Sequence, residues 1–174
     1  MSVKARIFTE EECKEIIKHA DEIGWGIGKE FKANIPKNAD RPNGFRVSWV
    51  QLPWIYEKIH DYLKNHAGYT IKPGIEIQAI RYLVGDRNFL HNDCYNHPTL
   101  KYYNTFITVT VLLSDDFEGG EFILQNKKVE QEVGIGFYHR SDIMHEITEI
   151  TKGTRYSLIA FIRNSDIINE KSVI

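Results

Sequence analysis

Residues 105–113, TFITVTVLL, run directly into the turn cluster Ser114-Asp115-Asp116-Phe117-Glu118-Gly119-Gly120 and then into a second short run, EFIL, over 121–124. A mostly β-branched segment bounded by Asp and Gly reads as a strand, and the cluster between the two runs reads as a turn that separates them. Working outward, similar runs occupy 75–84 (IEIQAIRYLV), 127–133, 135–138, 144–150 and 155–162 (RYSLIAFI), with Gly134, Gly136 and Gly153 as punctuation. This many short strands in succession predicts an antiparallel sandwich or jelly roll.

The N-terminal part has a different period. Thr9 with Glu12 forms a capping box, and Cys13, Ile16, Ile17, Ala20 and Ile23 fall on one stripe, which predicts a helix over 10–23. A second helix opens at Pro53 and places Ile55, Ile59, Tyr62, Leu63 and His66 on one face before Gly68. The two helices are expected to pack together outside a sheet. Between them, residues 28–44 are polar and rich in Lys, Asn, Pro and Gly, a long loop. The expected fold is mainly β with supporting α-helices: a double-stranded β-helix (jelly roll) flanked by N-terminal helices. One domain is expected over 1–174, with helical support to about residue 70 and the jelly-roll core from about 71 to 165.

Composition narrows the function classes. The chain has 174 residues, 42% of them hydrophobic and 26% charged, as in a folded globular domain. A net charge of −2 and a pI near 6.4 leave no basic field for a phosphate backbone, so nucleic acid is not an expected partner. Cys13 and Cys94 have no neighbouring cysteine for a zinc knuckle or a redox pair and read as free thiols. No apolar window approaches the ~18 residues of a membrane span. The expectation is a cytoplasmic protein without a membrane partner, a monomer or weak oligomer.

Chemistry concentrates in a few positions. In His91-Asn92-Asp93 an extended backbone would point the imidazole and the carboxylate to one side. His145 opens a later strand, and two histidines with one carboxylate leave three open positions, the arrangement of non-haem Fe(II) oxygenases. Arg155 begins an otherwise apolar strand, and a guanidinium directed into a barrel requires an anion, for which a carboxylate suits its fork.

At this point the sequence resembles the 2-oxoglutarate- and Fe(II)-dependent dioxygenases, in particular the prolyl 4-hydroxylase-like branch, over roughly residues 44 to 163. The matching strings are Arg46-Val47-Ser48, Glu76 to Tyr82 with Gly85 beyond, His91-Asn92-Asp93, Phe117-Glu118-Gly119-Gly120-Glu121-Phe122, and His145 to Ser157. The resemblance implies that His91, Asp93 and His145 hold Fe(II), that Arg155 pairs with the distal carboxylate of 2-oxoglutarate, and that Tyr82 adds a hydroxyl to it. It implies a procollagen-proline 4-dioxygenase-like hydroxylase. Such an enzyme uses dioxygen, with ascorbate as a candidate reductant, and releases succinate and carbon dioxide. The lack of a secretory signal pattern and the cysteine count are expected to set the chain apart from the collagen-modifying enzymes of the endoplasmic reticulum.

A prolyl residue in a peptide or protein is the leading substrate, with a free amino acid or other small molecule as the alternative. A non-catalytic metal- or ligand-binding jelly-roll module is the reading from a different class. Residues 28–44 and 94–104 are expected to form lids, with Tyr95, Tyr102 and Tyr103 offering flat faces to substrate and Arg46 as a further contact. Arg46 and Ser48 have strand support as their other reading, and Tyr82 a place in the core. His19, His60, His66, His97 and His139 lack a partner at metal-site spacing and are expected at the surface or in loops.

Overall fold

Helix α1 (Glu10–Ile23) starts where the capping box places it: Glu12 N donates to Thr9 Oγ1 at 3.1 Å, and Thr9 N donates to Glu12 Oε1 at 2.9 Å. In this computed structural model, which describes residues 3–26, 44–94 and 105–168, the Glu12 carboxylate also pairs with Lys58 at 2.8 Å. Lys58 belongs to α2 (Pro53–Ala67), so one side chain both caps the first helix and ties it to the second. Pro53 has no N–H for the first turn to leave unsatisfied, and Gly68 closes α2 in the left-handed conformation with its N–H on Leu63 O. Cys13, Ile16 and Ala20 of α1 and Ile55, Ile59, Tyr62 and Leu63 of α2 are buried as the periodicity requires. Ile23, in the last turn of α1, is half exposed, and His66 is exposed with its ring against Tyr62.

These helices cover one face of a six-stranded sheet. Its strands are β1 (Ala5–Arg6), β2 (Arg46–Trp49), β4 (Glu76–Tyr82), β6 (Thr105–Leu112), β10 (Ile135–Arg140) and β13 (Arg155–Arg163), in the order β1-β10-β6-β13-β4-β2. A short pair, β3 (Thr70–Ile71) with β14 (Ile167–Ile168), joins the end of α2 to the end of β13. Alternation sorts each central strand into two faces. Ile77, Ala79, Val109, Val111, Leu158, Ala160 and Ile162 join the core under the helices, while Ile80, Tyr82, Phe137 and Ile159 belong to a second cluster on the other side.

Across that second cluster lies a four-stranded sheet, β5 (Asn88–His91), β11 (His145–Ile147), β8 (Phe122–Leu124) and β9 (Lys127–Val129), in that order. Phe122, Leu124, Val129 and Ile147 supply its half of the interior. Two antiparallel sheets enclosing one apolar interior, with helices outside the larger sheet, make the expected jelly roll. The expected strand over 144–150 is two strands, because the chain turns at Thr148: β12 (Ile150–Gly153) pairs instead with β7 (Phe117–Gly119) in a separate ribbon. Glu121 N donates to Thr148 Oγ1 at 2.8 Å and Gly120 N to Glu149 O at 3.1 Å, which holds the bend. The run over 127–133 stops as a strand at Val129, and the chain recrosses at Gly134, whose φ of 79° no β-branched residue would adopt.

Apart from Gly44 and Cys94, the expected lids at 28–44 and 94–104 lie outside the described residues. Among the described residues no helix is long and apolar enough to cross a membrane.

Gly153 joins the β7–β12 ribbon to β13 with φ 74°, and a Cβ there would lie 2.2 Å from Asp116 O. Gly153→Ala is therefore expected to cost more than about 1 kcal/mol in urea unfolding. Equal unfolding midpoints for variant and wild type would show that the ribbon adapts.

Candidate metal centre and anion site

The ladder between β5 and β11 sets His91 directly opposite His145, with ring centroids 4.3 Å apart. Asp93 follows just past the end of β5, where its N–H donates to Ser141 O at 2.8 Å and its Oδ2 accepts from Thr108 Oγ1 at 2.9 Å. The carboxylate is thereby turned between the two imidazoles. His91 Nε2 lies 3.3 Å from Asp93 Oδ1, and His145 Nε2 lies 3.4 Å from Asp93 Oδ2. The ligand atoms of the three residues all lie within 4.8 Å of one another. Each imidazole has its Nδ1 on a backbone carbonyl, Phe89 O at 2.5 Å for His91 and Ile143 O at 2.9 Å for His145. That leaves both Nε2 atoms aimed at the same point, and backbone anchoring of this kind is what orients metal-binding histidines.

Electrostatics favours a cation at that point. Burial pushes the Asp93 carboxyl up, but hydrogen bonds from His145 and His91 outweigh it and hold the group well below the usual carboxylate range. Burial works against a charged His145, yet the hydrogen bond and charge of Asp93 raise it overall. Without metal, Asp93 thus favours the protonated form of His145, whose positive charge offsets the buried carboxylate. A divalent ion bound by two imidazole nitrogens and one carboxylate oxygen supplies it in the same place, and this donor set suits Fe(II) with open positions. Phe122 stacks on His145 with ring centroids 5.6 Å apart and closes one side.

A second charged feature occupies the same interior. Arg155 is 1% exposed; its Nε donates to Gly120 O at 3.1 Å and its Nη2 to Gln131 Oε1 at 2.7 Å. Gly120 has φ 59°, which strains any larger residue, and a Cβ there would also crowd Ile150 Cδ1 at 2.4 Å and Arg155 Cδ at 2.9 Å. The guanidinium lies over the rings of Tyr82 and Phe117, at 5.4 and 5.8 Å. Among the described residues no carboxylate pairs with it, so a buried charge is held by neutral partners alone. Tyr82, the cross-strand partner of Arg155, is buried, and burial pushes its hydroxyl up to about 12 against the opposing charge of Arg155. Tyr82 is hydrogen-bonded to Asn88, whose Nδ2 lies 3.5 Å from His91 Nε2, which links the arginine to the three-residue cluster.

Several expectations need correction. His139 is not at the surface: β10 alternates, so His139 follows Phe137 into the interior, opposite Thr108 on β6. Its Nδ1 is bonded to Arg140 O at 2.8 Å, its Nε2 lies 4.0 Å from Asp93 Oδ2, and burial pushes it down to about 4. The same alternation sends Arg46 the other way. Val47 faces the interior, while Ser48 donates to Ala20 O of α1 and Arg46 donates to Gly44 O, so Arg46 is not brought to the cluster. Tyr95, Tyr102, Tyr103 and His97 lie outside the described residues. Sequence alone does not single out Thr108, Asn88 or Gln131. For Thr108 a signal exists, since Thr108 and Thr110 recur at period two in a strand that is apolar from Phe106 onward apart from them.

No protein-family model matches the sequence. A PKHD-type hydroxylase of Alteromonas mediterranea is 30% identical over 73 residues, which are 40% of this chain and 32% of that protein. The chain thus matches only about a third of that relative's length. The viral collagen prolyl hydroxylase of Paramecium bursaria Chlorella virus-1, in its 2OG complex, superposes with a TM-score of 0.68 at 16% identity, covering 92% of this chain and 94% of that one. An oxidoreductase of the 2OG-Fe(II) oxygenase family from Burkholderia pseudomallei gives 0.65 at 16% identity, over 92% and 82%. The fold is that of the 2OG-Fe(II) oxygenases. A third oxygenase-fold neighbour is the prolyl hydroxylase of Trichoplax adhaerens, in complex with a hypoxia inducible factor oxygen degradation domain peptide, at 0.66 and 16% identity over 97% and 84%.

The buried histidine gives this oxygenase fold a pH signature. Between pH 6.5 and about 4 the unfolded chain protonates His139 while the folded chain does not, so metal-free stability falls as pH drops through that window. The loss should approach about 3 kcal/mol. His145, raised in the folded state, acts above pH 6.5, and Asp93, depressed, acts below 3.8, so neither shares the window. Urea unfolding of chelator-treated protein at pH 7 and pH 5 should show the drop, and His139→Leu should remove most of it. An unchanged drop in the variant would assign it elsewhere.

Proposed function

We propose that this chain is an Fe(II)- and 2-oxoglutarate-dependent hydroxylase. One observation carries the reading: a single jelly-roll interior holds both a three-residue nitrogen and oxygen ligand set and a buried guanidinium that, among the described residues, has no anion of its own. A module that only holds a metal has no need of the second feature, which costs stability unless a ligand pairs with it, and a module that only binds a ligand has no need of the first. His91, Asp93 and His145 would hold the iron through Nε2, a carboxylate oxygen and Nε2. Arg155 would receive the distal carboxylate of 2-oxoglutarate, with the Tyr82 hydroxyl beside it. Fe(II) bound there supplies dioxygen activation, coupling decarboxylation of 2-oxoglutarate to succinate and carbon dioxide with oxygen insertion into a C–H bond. The protein's own contribution is orientation and exclusion of water. The Nδ1 bonds fix both imidazoles, Thr108 fixes the carboxylate, and Phe122, Ile147 and Ile150 keep the interior apolar.

For the substrate, the rim next to His91 favours an apolar target. Phe89 and Leu90 of β5 are 59% and 54% exposed, and Leu83 and Val84 lie exposed in the preceding turn. An exposed apolar rim beside a reactive centre suits a prolyl residue in a peptide better than a charged free amino acid. The solved neighbours that are prolyl hydroxylases support the same choice.

Anaerobically purified protein given Fe(II), 2-oxoglutarate and dioxygen is expected to form succinate, faster with a proline-containing peptide than with free proline. His91→Ala, Asp93→Ala and His145→Ala should each abolish turnover while leaving the fold largely intact. Arg155→Ala should raise the 2-oxoglutarate requirement at least about tenfold without changing Fe(II) affinity. Wild-type succinate formation by all three ligand variants would sink the metal assignment, and faster turnover with free proline would sink the peptide assignment.

A further inference from the structure

Gln131 follows Val129 by two residues and, like it, faces the interior, where its Oε1 accepts from Arg155 Nη2 at 2.7 Å. Arginine has only donors, so this bond decides which way the amide points. The amide nitrogen is then left over. Gln131 Nε2 is buried and, among the described residues, without a hydrogen-bond partner, although burying an unpaired amide N–H costs about 1–3 kcal/mol. A glutamate at 131 would have satisfied Arg155 better and left no orphan donor. The amide instead holds the guanidinium without neutralising it.

We infer that Gln131 is a co-substrate-binding residue, whose amide N–H donates to the carboxylate that Arg155 attracts. This rests on the proposed 2-oxoglutarate reading and adds to it a neutral donor that recognises the distal carboxylate. Two groups with distinct duties line that end of the interior. Arg155 provides the charge, and Gln131 provides a directional donor that a terminal methyl group cannot use.

The test is anaerobic calorimetry with Fe(II)-loaded protein, using 2-oxoglutarate and 2-oxopentanoate, which keeps the 2-oxo acid head but ends in a methyl group. Gln131→Met is expected to weaken 2-oxoglutarate by roughly ten- to hundredfold and leave 2-oxopentanoate unchanged. Gln131→Glu should weaken 2-oxoglutarate further, because its carboxylate takes the charge of Arg155. Both variants are checked for wild-type circular dichroism and Fe(II) affinity. Binding of 2-oxoglutarate by either variant within twofold of wild type overturns the inference, as does an equal loss for both ligands. Should the wild type itself not bind 2-oxoglutarate, and Arg155→Ala change nothing, the co-substrate reading falls first and this one with it.

Discussion

The organising constraint is the Asp93 carboxylate, buried between two imidazoles. A carboxylate in that position needs a positive charge beside it, and the surrounding bonds restrict where that charge can sit. Thr108 and the Ser141 carbonyl fix Asp93, and the carbonyls of Phe89 and Ile143 fix the two histidines. Together they create a point inside the barrel with a strong preference for a cation and little freedom to rearrange. The opposite preference is created elsewhere in the same interior, where Arg155 is buried among neutral partners and calls for an anion. A molecule that can ligate a metal at one end and present a carboxylate at the other satisfies both.

The larger sheet makes this possible by carrying two separate loads. Its helix-facing side, with Val109, Val111, Leu158 and Ala160, provides apolar burial on the scale that stabilises a domain. Its interior side can then accommodate polar residues such as Thr108, Arg155, Ser157 and His139, each of which costs stability when it lacks a partner. Strand alternation is the device that keeps the two loads apart.

Much of this is legible in the sequence. The capping box and the stripe of α1, Pro53 and Gly68 around α2, and the β-branched runs of β4, β6 and β13 depend on local preferences that short windows carry. The turn at Thr148 is not, because it depends on Glu121 and Gly120 meeting Thr148 and Glu149 from a distant part of the chain. His139 is misplaced by sequence for a related reason. Spacing along the chain gives it no partner, whereas register places it in the interior opposite Thr108. Gln131 leaves no trace in the sequence, since its importance arises only from what Arg155 lacks.

The pairing of His91 with His145 also bears on when the site comes into being during biosynthesis. The two ligands belong to neighbouring strands that are far apart in sequence, and pairings of this kind form late because a long loop must close before the contacts can compensate for it. While the chain is still emerging from the ribosome it therefore carries the local His91 and Asp93 pair without the third group. The complete three-residue set is a property of the finished barrel, and a nascent or misfolded copy lacks it.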